Sequence, residues 1–271
     1  MAKRQFSLAH LSMIEVPPVE LVAVAATSGY QYTGFRLTPT AAGVDHEILG
    51  DSRALAELKR VIDDSGVGIL DVEVIRMKEP AQLVDPRPLL EAAGTLGARY
   101  VITTIEDQNS DRRVECLGDL AGLAASYGIG IAIEFMVFSS APNLIDAADL
   151  ISRVQAPNVV LLADVLHLER SGGRPSDIGL YPPNLFPYAQ ICGARGAGPA
   201  PDVMAAREEA VNARLMPSEG DLQVAGFIAA LPGDAILSVE CPIAGQGNPI
   251  DPTGLAREML RSANVIDMER T

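Results

Sequence analysis

The chain contains no tryptophan, and aromatic residues fill only 4% of its 271 positions. Its core must therefore be built mainly from Ala, Val, Leu and Ile. Cysteine is almost as scarce: Cys116, Cys192 and Cys241 are the only three, and no C-x-x-C pair occurs. That set excludes a disulfide framework and a zinc knuckle, and a reducing, cytoplasmic location is expected. No apolar stretch of membrane-spanning length is present, so no membrane span is expected. The first apolar run is interrupted by His10 and Glu15, which argues against a signal peptide. Bases are few as well, 21 Lys and Arg against 35 Asp and Glu, giving a net charge of −14. Such a chain repels phosphate backbones and anionic lipid, so neither nucleic acid nor membrane is expected as a partner.

What remains suits a folded protein: 48% apolar and 21% charged residues, far from disordered or collagen-like composition. Four segments end in Gly after an amphipathic stretch and continue into an apolar run, at Gly29, Gly66, Gly97 and Gly128. Gly just past a helix end accepts a left-handed backbone. The spacing of these glycines, 37, 31 and 31 residues, suits one strand plus one crossover helix per unit. Continuing at that period predicts strands over 5–10, 31–37, 68–75, 99–105, 129–135, 158–164, 187–193 and 235–240. Helices are predicted over 18–28, 52–65, 83–96, 112–127, 143–155, 202–213, 221–231 and 252–265, with a long loop at 170–186 that has room for a short turn of helix. Eight such units over residues 1–271, with no flexible linker, predict an α/β fold, a single (β/α)8 TIM barrel forming one domain. A doubly wound sheet is the rival, but no glycine-rich loop follows the first strand.

In such a barrel the C-terminal strand ends line the mouth where chemistry occurs. The polar residues at those ends are His10, Arg36, Glu73 with Arg76, Glu106, Glu134, Asp164 with His167, Gln190 and Glu240. Three carboxylates converging on one mouth repel one another unless a cation lies between them. Glu134, Asp164, Gln190 and Glu240 form an all-oxygen donor set that suits Mn²⁺ or Mg²⁺ better than Zn²⁺.

These pieces resemble the sugar phosphate isomerase/epimerase superfamily, the xylose isomerase-like TIM barrels. The resemblance runs from Ser-Leu-Ala-His10 to Val-Glu240. It takes in Glu134 at the end of an apolar strand, Asp164-Val-Leu-His167 followed by Ser-Gly-Gly, and Arg214 ahead of Pro217-Ser-Glu-Gly-Asp221. The resemblance implies that Glu134, Asp164, Gln190 and Glu240 ligate the metal. It also implies that Glu134 and Glu240 face the substrate carbon from opposite sides as acid and base, and that His167 and Arg214 hold substrate oxygens. Two positions depart from the family pattern. Gln190 stands where His is frequent, which bears on metal preference, and Ser218 stands where Gly is usual. The nuclease branch of the superfamily needs many histidines, and this chain has three.

Proton removal beside a carbonyl needs a base at the carbon and a cation at the oxygen, here a metal-stabilised enediolate. Isomerisation, epimerisation and dehydration can all follow from that step. The expected activity is that of a metal-dependent isomerase or epimerase on a sugar, sugar acid or keto-polyol. A dehydratase of the keto-inositol or dehydroshikimate type and a catalytically silent binding barrel are the alternatives, and homo-oligomerisation stays open. His10 and Glu73 are candidate substrate contacts. Each has a plainer reading: His10 as a buried histidine bonded to backbone, Glu73 as the partner of Arg36 or Arg76. Arg214 could instead pair with a nearby acid, and Gln190 could be a core amide in a barrel that has lost its metal.

Overall fold

The computed structural model describes residues 4–246 and 248–269. Eight parallel strands close on themselves in sequence order: β1 Phe6–Leu8, β2 Tyr32–Arg36, β3 Gly68–Met77, β4 Tyr100–Ile105, β5 Gly130–Glu134, β6 Val159–Asp164, β7 Tyr188–Ile191 and β8 Ile236–Val239. β8 pairs with β1 through Leu237 opposite Phe6 and Val239 opposite Leu8, which leaves no free sheet edge. The helices are α1 Pro18–Ser28, α2 Ser52–Ser65, α3 Arg87–Leu96, α4 Ser110–Ser126, α5 Leu144–Val154, α6 Val165–Arg170, α7 Val203–Asn212, α8 Val224–Ala230 and α9 Pro252–Glu269. No helix among the described residues is long and apolar enough to cross a membrane.

The helix-ending glycines behave as their positions require. Gly29, Gly66, Gly97 and Gly128 all have φ between +73 and +93°, a backbone that a Cβ would strain. Several elements differ from the sequence reading. The first strand stops at Leu8, and His10 opens a 3-10 turn, His10–Met13, instead of ending the strand. Residues 83–86 precede α3 rather than joining it, because Pro86 fixes the chain just outside the first turn. The 170–186 stretch contains two 3-10 turns, Pro175–Leu180 and Pro183–Leu185. The short α6 was not foreseen. It forms because Asp164 both ends β6 and caps the helix, its carboxylate accepting from Leu166 N at 2.7 Å.

Two apolar layers follow from strand alternation. Outward residues such as Leu8, Phe35, Val101 and Ile133 pack under the helices. Inward residues Leu70, Ile102, Ala132, Val160, Leu162, Tyr188 and Ile236 fill the barrel axis, with Tyr32 and Tyr100 against them. Tyr100 and Tyr188 stack at 5.1 Å between ring centroids. Because Ala132, Leu162 and Tyr188 face inward, the residues two further on, Glu134, Asp164 and Gln190, face inward one layer higher. The apolar floor thus fixes the polar mouth above it.

The chain between β7 and α8 makes an excursion that carries α7 and Arg214. Its ends are drawn together by bridges between Gly193 and Leu215 and between Ala194 and Gly220. A Cβ on Gly193 would lie 2.1 Å from Glu219 O, and one on Gly220 would lie 2.1 Å from Ala194 O, so the closure depends on glycine at both places.

Candidate active site

Arg214 is the hub of the mouth. Its side chain is 1% exposed, with Nη1 at 2.5 Å from Asp164 Oδ2 and Nη2 at 2.8 Å from Glu240 Oε2. Its Nε donates to Ala210 O at 2.8 Å, which holds the fork in place. Glu240 Oε1 accepts from Gln190 Nε2 at 2.7 Å. Across from this clamp, Glu134 Oε1 lies 3.6 Å from His167 Nε2. Arg36 reaches Glu73 Oε2 at 3.2 Å from the β2 and β3 side.

Burial and mutual repulsion set the protonation of this set. Burial, then the charges of Asp164 and Glu73, push the Glu134 carboxyl up to about 8. Burial likewise raises Glu240 well above the usual carboxylate range, with Arg214 opposing and Glu73 and Glu134 adding to the rise. For Asp164 burial works upward too, but Arg214, His167 and the Leu166 N–H together hold its carboxyl below the ordinary value. Burial pushes His167 down to about 4, so its imidazole is neutral at neutral pH and its contact with Glu134 is no ion pair. One layer down, Asp71 is buried beside Glu73 and Tyr188, and burial raises its carboxyl strongly.

A divalent cation fits these residues. Glu134, Asp164 and His167 each offer a ligand atom, and these atoms lie within 4.8 Å of one another. Gln190 Oε1 is buried with no hydrogen-bond partner, a state that costs about 1–3 kcal/mol and that a cation relieves. This grouping differs from the four-oxygen set expected from sequence. His167 stands nearest Glu134 and Asp164, whereas Glu240 and Gln190 are engaged with Arg214 and with each other.

The other sequence candidates fall as follows. His10 is fully buried, its Nε2 bonded to Val16 O at 2.8 Å and its Nδ1 accepting from Arg36 N at 3.0 Å. Both ring nitrogens serve the backbone, so His10 presents none to a substrate. Glu73 pairs with Arg36 but keeps Oε1 unpartnered at the mouth. Glu106 turns to Arg76 and Lys78, at 3.1 and 3.6 Å. Sequence reasoning missed Phe138, whose ring meets His167 edge-on at 5.6 Å, and Arg207, whose guanidinium lies 5.2 Å over that ring. An aromatic four residues past Glu134 in a chain this poor in aromatics was the available signal for the first.

The protonation pattern carries a prediction. Between about pH 4.5 and 8 the folded, metal-free chain keeps a proton on Glu134 that the unfolded chain has released. Stability contributed by this group is therefore complete at low pH and lost as pH rises through 8, at most about 1.4 kcal/mol per pH unit. Urea denaturation in EDTA across pH 5–9 should show a steeper fall for the wild type than for Glu134→Gln, and parallel curves would contradict the assignment.

A family model for xylose isomerase-like TIM barrels matches residues 22–263. The chain belongs to that family. No curated protein matches its sequence. Among solved structures, it superposes on a xylose isomerase-like TIM barrel/4-hydroxyphenylpyruvate dioxygenase fusion protein with a TM-score of 0.81 at 20% identity. The alignment covers 99% of this chain and 43% of the fusion protein, so the chain spans less than half that protein's length. An IolI protein with a bound zinc atom aligns with a TM-score of 0.76 at 16% identity, covering 98% of this chain and 97% of the other. D-psicose 3-epimerase with D-tagatose, from Clostridium cellulolyticum H10, aligns with a TM-score of 0.70 at 13% identity, covering 98% and 99%. At these identities the likeness is one of fold.

Proposed function

We propose that the chain is a divalent-metal-dependent isomerase or epimerase acting on a sugar or related hydroxy-ketone. The observation that carries this reading is the placement of Glu134 at the end of β5 and Glu240 just past β8, on different sides of one barrel mouth, with Asp164 at the end of the intervening β6. A substrate carbon lying across the mouth meets a carboxyl group on each face, as proton removal and return require. Glu134 and Asp164, with Gln190 and Glu240 as further oxygen donors, would hold the cation, which would supply positive charge at the carbonyl oxygen. Glu134 as carboxylate takes the proton from the carbon beside the carbonyl, and the electron pair of that bond moves toward the carbonyl oxygen. Glu240, protonated, returns a proton to carbon. His167 donates to or accepts from a substrate hydroxyl as a neutral imidazole, and the buried mouth excludes bulk water.

Elemental analysis of untagged protein, loaded with Mn²⁺ and desalted, should find about one ion per chain, and Glu240→Gln should lose it. Keto-sugars incubated with the loaded protein in D₂O should gain deuterium on carbon with unchanged composition. Loss of water from the substrate would instead assign the same residues to a dehydratase. Failure to retain Mn²⁺, Mg²⁺, Co²⁺ or Zn²⁺ would overturn the reading and leave a silent barrel.

A further inference from the structure

We propose that the substrate carries an anionic group, a carboxylate or a phosphate, and that Arg207 of α7 receives it at the edge of the mouth. The inference rests on the reading above for the position of the reacting carbon at Glu134. The guanidinium of Arg207 lies 5.2 Å over the Phe138 ring, and that ring meets His167 at 5.6 Å. His167 in turn touches Glu134. Arginine, aromatic ring, imidazole and carboxyl group thus form one continuous wall leading out from the reacting position.

Arg207 is exposed and has no carboxylate within 4.0 Å among the described residues. That is notable where acids outnumber bases 35 to 21. The acids around it are already committed. Glu209 accepts two hydrogen bonds from Arg170 at 2.6 and 2.8 Å, and Glu208 accepts from Asn212 at 3.0 Å. Asp202 caps α7 through Ala205 N, and Asp221 accepts from Gly196 N. The other cations of the mouth are also engaged: Arg214 by Asp164 and Glu240, and Arg36 by Glu73.

A neutral sugar has no need of a free guanidinium beyond His167. An acid does need one, because the arginines inside the mouth are already paired with Glu73, Asp164 and Glu240. The fork of an arginine matches carboxylate and phosphate oxygens alike. The Phe138 face supplies an apolar surface for the carbon chain between the anionic end and the carbonyl.

The test uses three ketoses that differ only at C6: D-fructose, D-fructuronate and D-fructose 6-phosphate. Binding is measured by calorimetry, with Mn²⁺ and again with EDTA. An anionic probe should bind at least about tenfold more tightly than fructose. The preference should collapse to within about twofold in Arg207→Gln. It should persist in Arg195→Gln, an exposed arginine of the same excursion. The stronger of the two anions identifies the group. Equal binding of all three, or a preference that survives Arg207→Gln, overturns the inference. A preference that depends on Arg207 without Mn²⁺ uptake would overturn the metal-dependent reading and leave this one standing.

Discussion

Arg214→Gln lowers the stability of the metal-free protein by about 3–5 kcal/mol, the cost of stripping one partner from a buried ion pair. Asp164 is 0% exposed and Arg214 2% exposed, so water cannot replace the lost guanidinium. The glutamine fills part of the volume but supplies no charge to Asp164, whose carboxyl Arg214 helps keep ionised. Glu240 loses a 2.8 Å contact in the same step. Urea denaturation in EDTA measures the effect. Arg214→Lys restores the charge but not the two-pronged geometry, so it should recover only part of the loss. Mn²⁺ should narrow the gap between wild type and Arg214→Gln, because a cation at the carboxylates replaces the missing positive charge and binds only the folded state. A change below about 1 kcal/mol in EDTA would show that the clamp carries little of the stability assigned to it.

Glu134→Gln is expected to cut solvent-deuterium exchange into a keto-sugar substrate by about 10²–10⁴-fold, the contribution of a positioned general base. The amide matches the carboxyl group in shape but cannot accept a proton from carbon. The fold should not suffer, since the wild-type carboxyl is already largely protonated below pH 8 in the absence of metal. Loss of exchange together with retained or increased stability in EDTA would separate a chemical role from a structural one. Exchange within about tenfold of wild type would move the base elsewhere, with Glu240 the next candidate.

The barrel was legible because its punctuation is local. Gly29, Gly66, Gly97 and Gly128 each mark a helix end within a few residues of the strand that follows, and strand alternation places every second residue on one face. The converging acids were legible for the same reason, since Glu134 and Asp164 end apolar runs. What escaped depends on contacts between distant segments. Asp164 and Arg214 are 50 residues apart, as are Gln190 and Glu240, and nothing in either neighbourhood encodes the pairing. The sequence set Arg214 beside substrate oxygens or a nearby acid; it stands between Asp164 and Glu240. His10 is the exception: its position after β1 allowed a substrate contact, but the plainer reading, a buried histidine bonded to backbone, is the one that holds, with Val16 O and Arg36 N as its partners. The α6 turn was invisible because a single aspartate serves at once as strand end, helix cap and partner of Arg214.

The stacked Tyr100 and Tyr188, together with Leu70 and Ile236, plug the lower end of the barrel. The barrel axis beneath Glu134, Asp164 and Gln190 is therefore closed by packed side chains. In the proposed reaction, a hydrogen lifted by Glu134 has no exit through that floor: it returns to the same molecule or leaves past the substrate above it. The share of product that keeps its original hydrogen in D₂O then becomes a clock. It compares the residence of the substrate in the opening with the wandering of a single proton behind it.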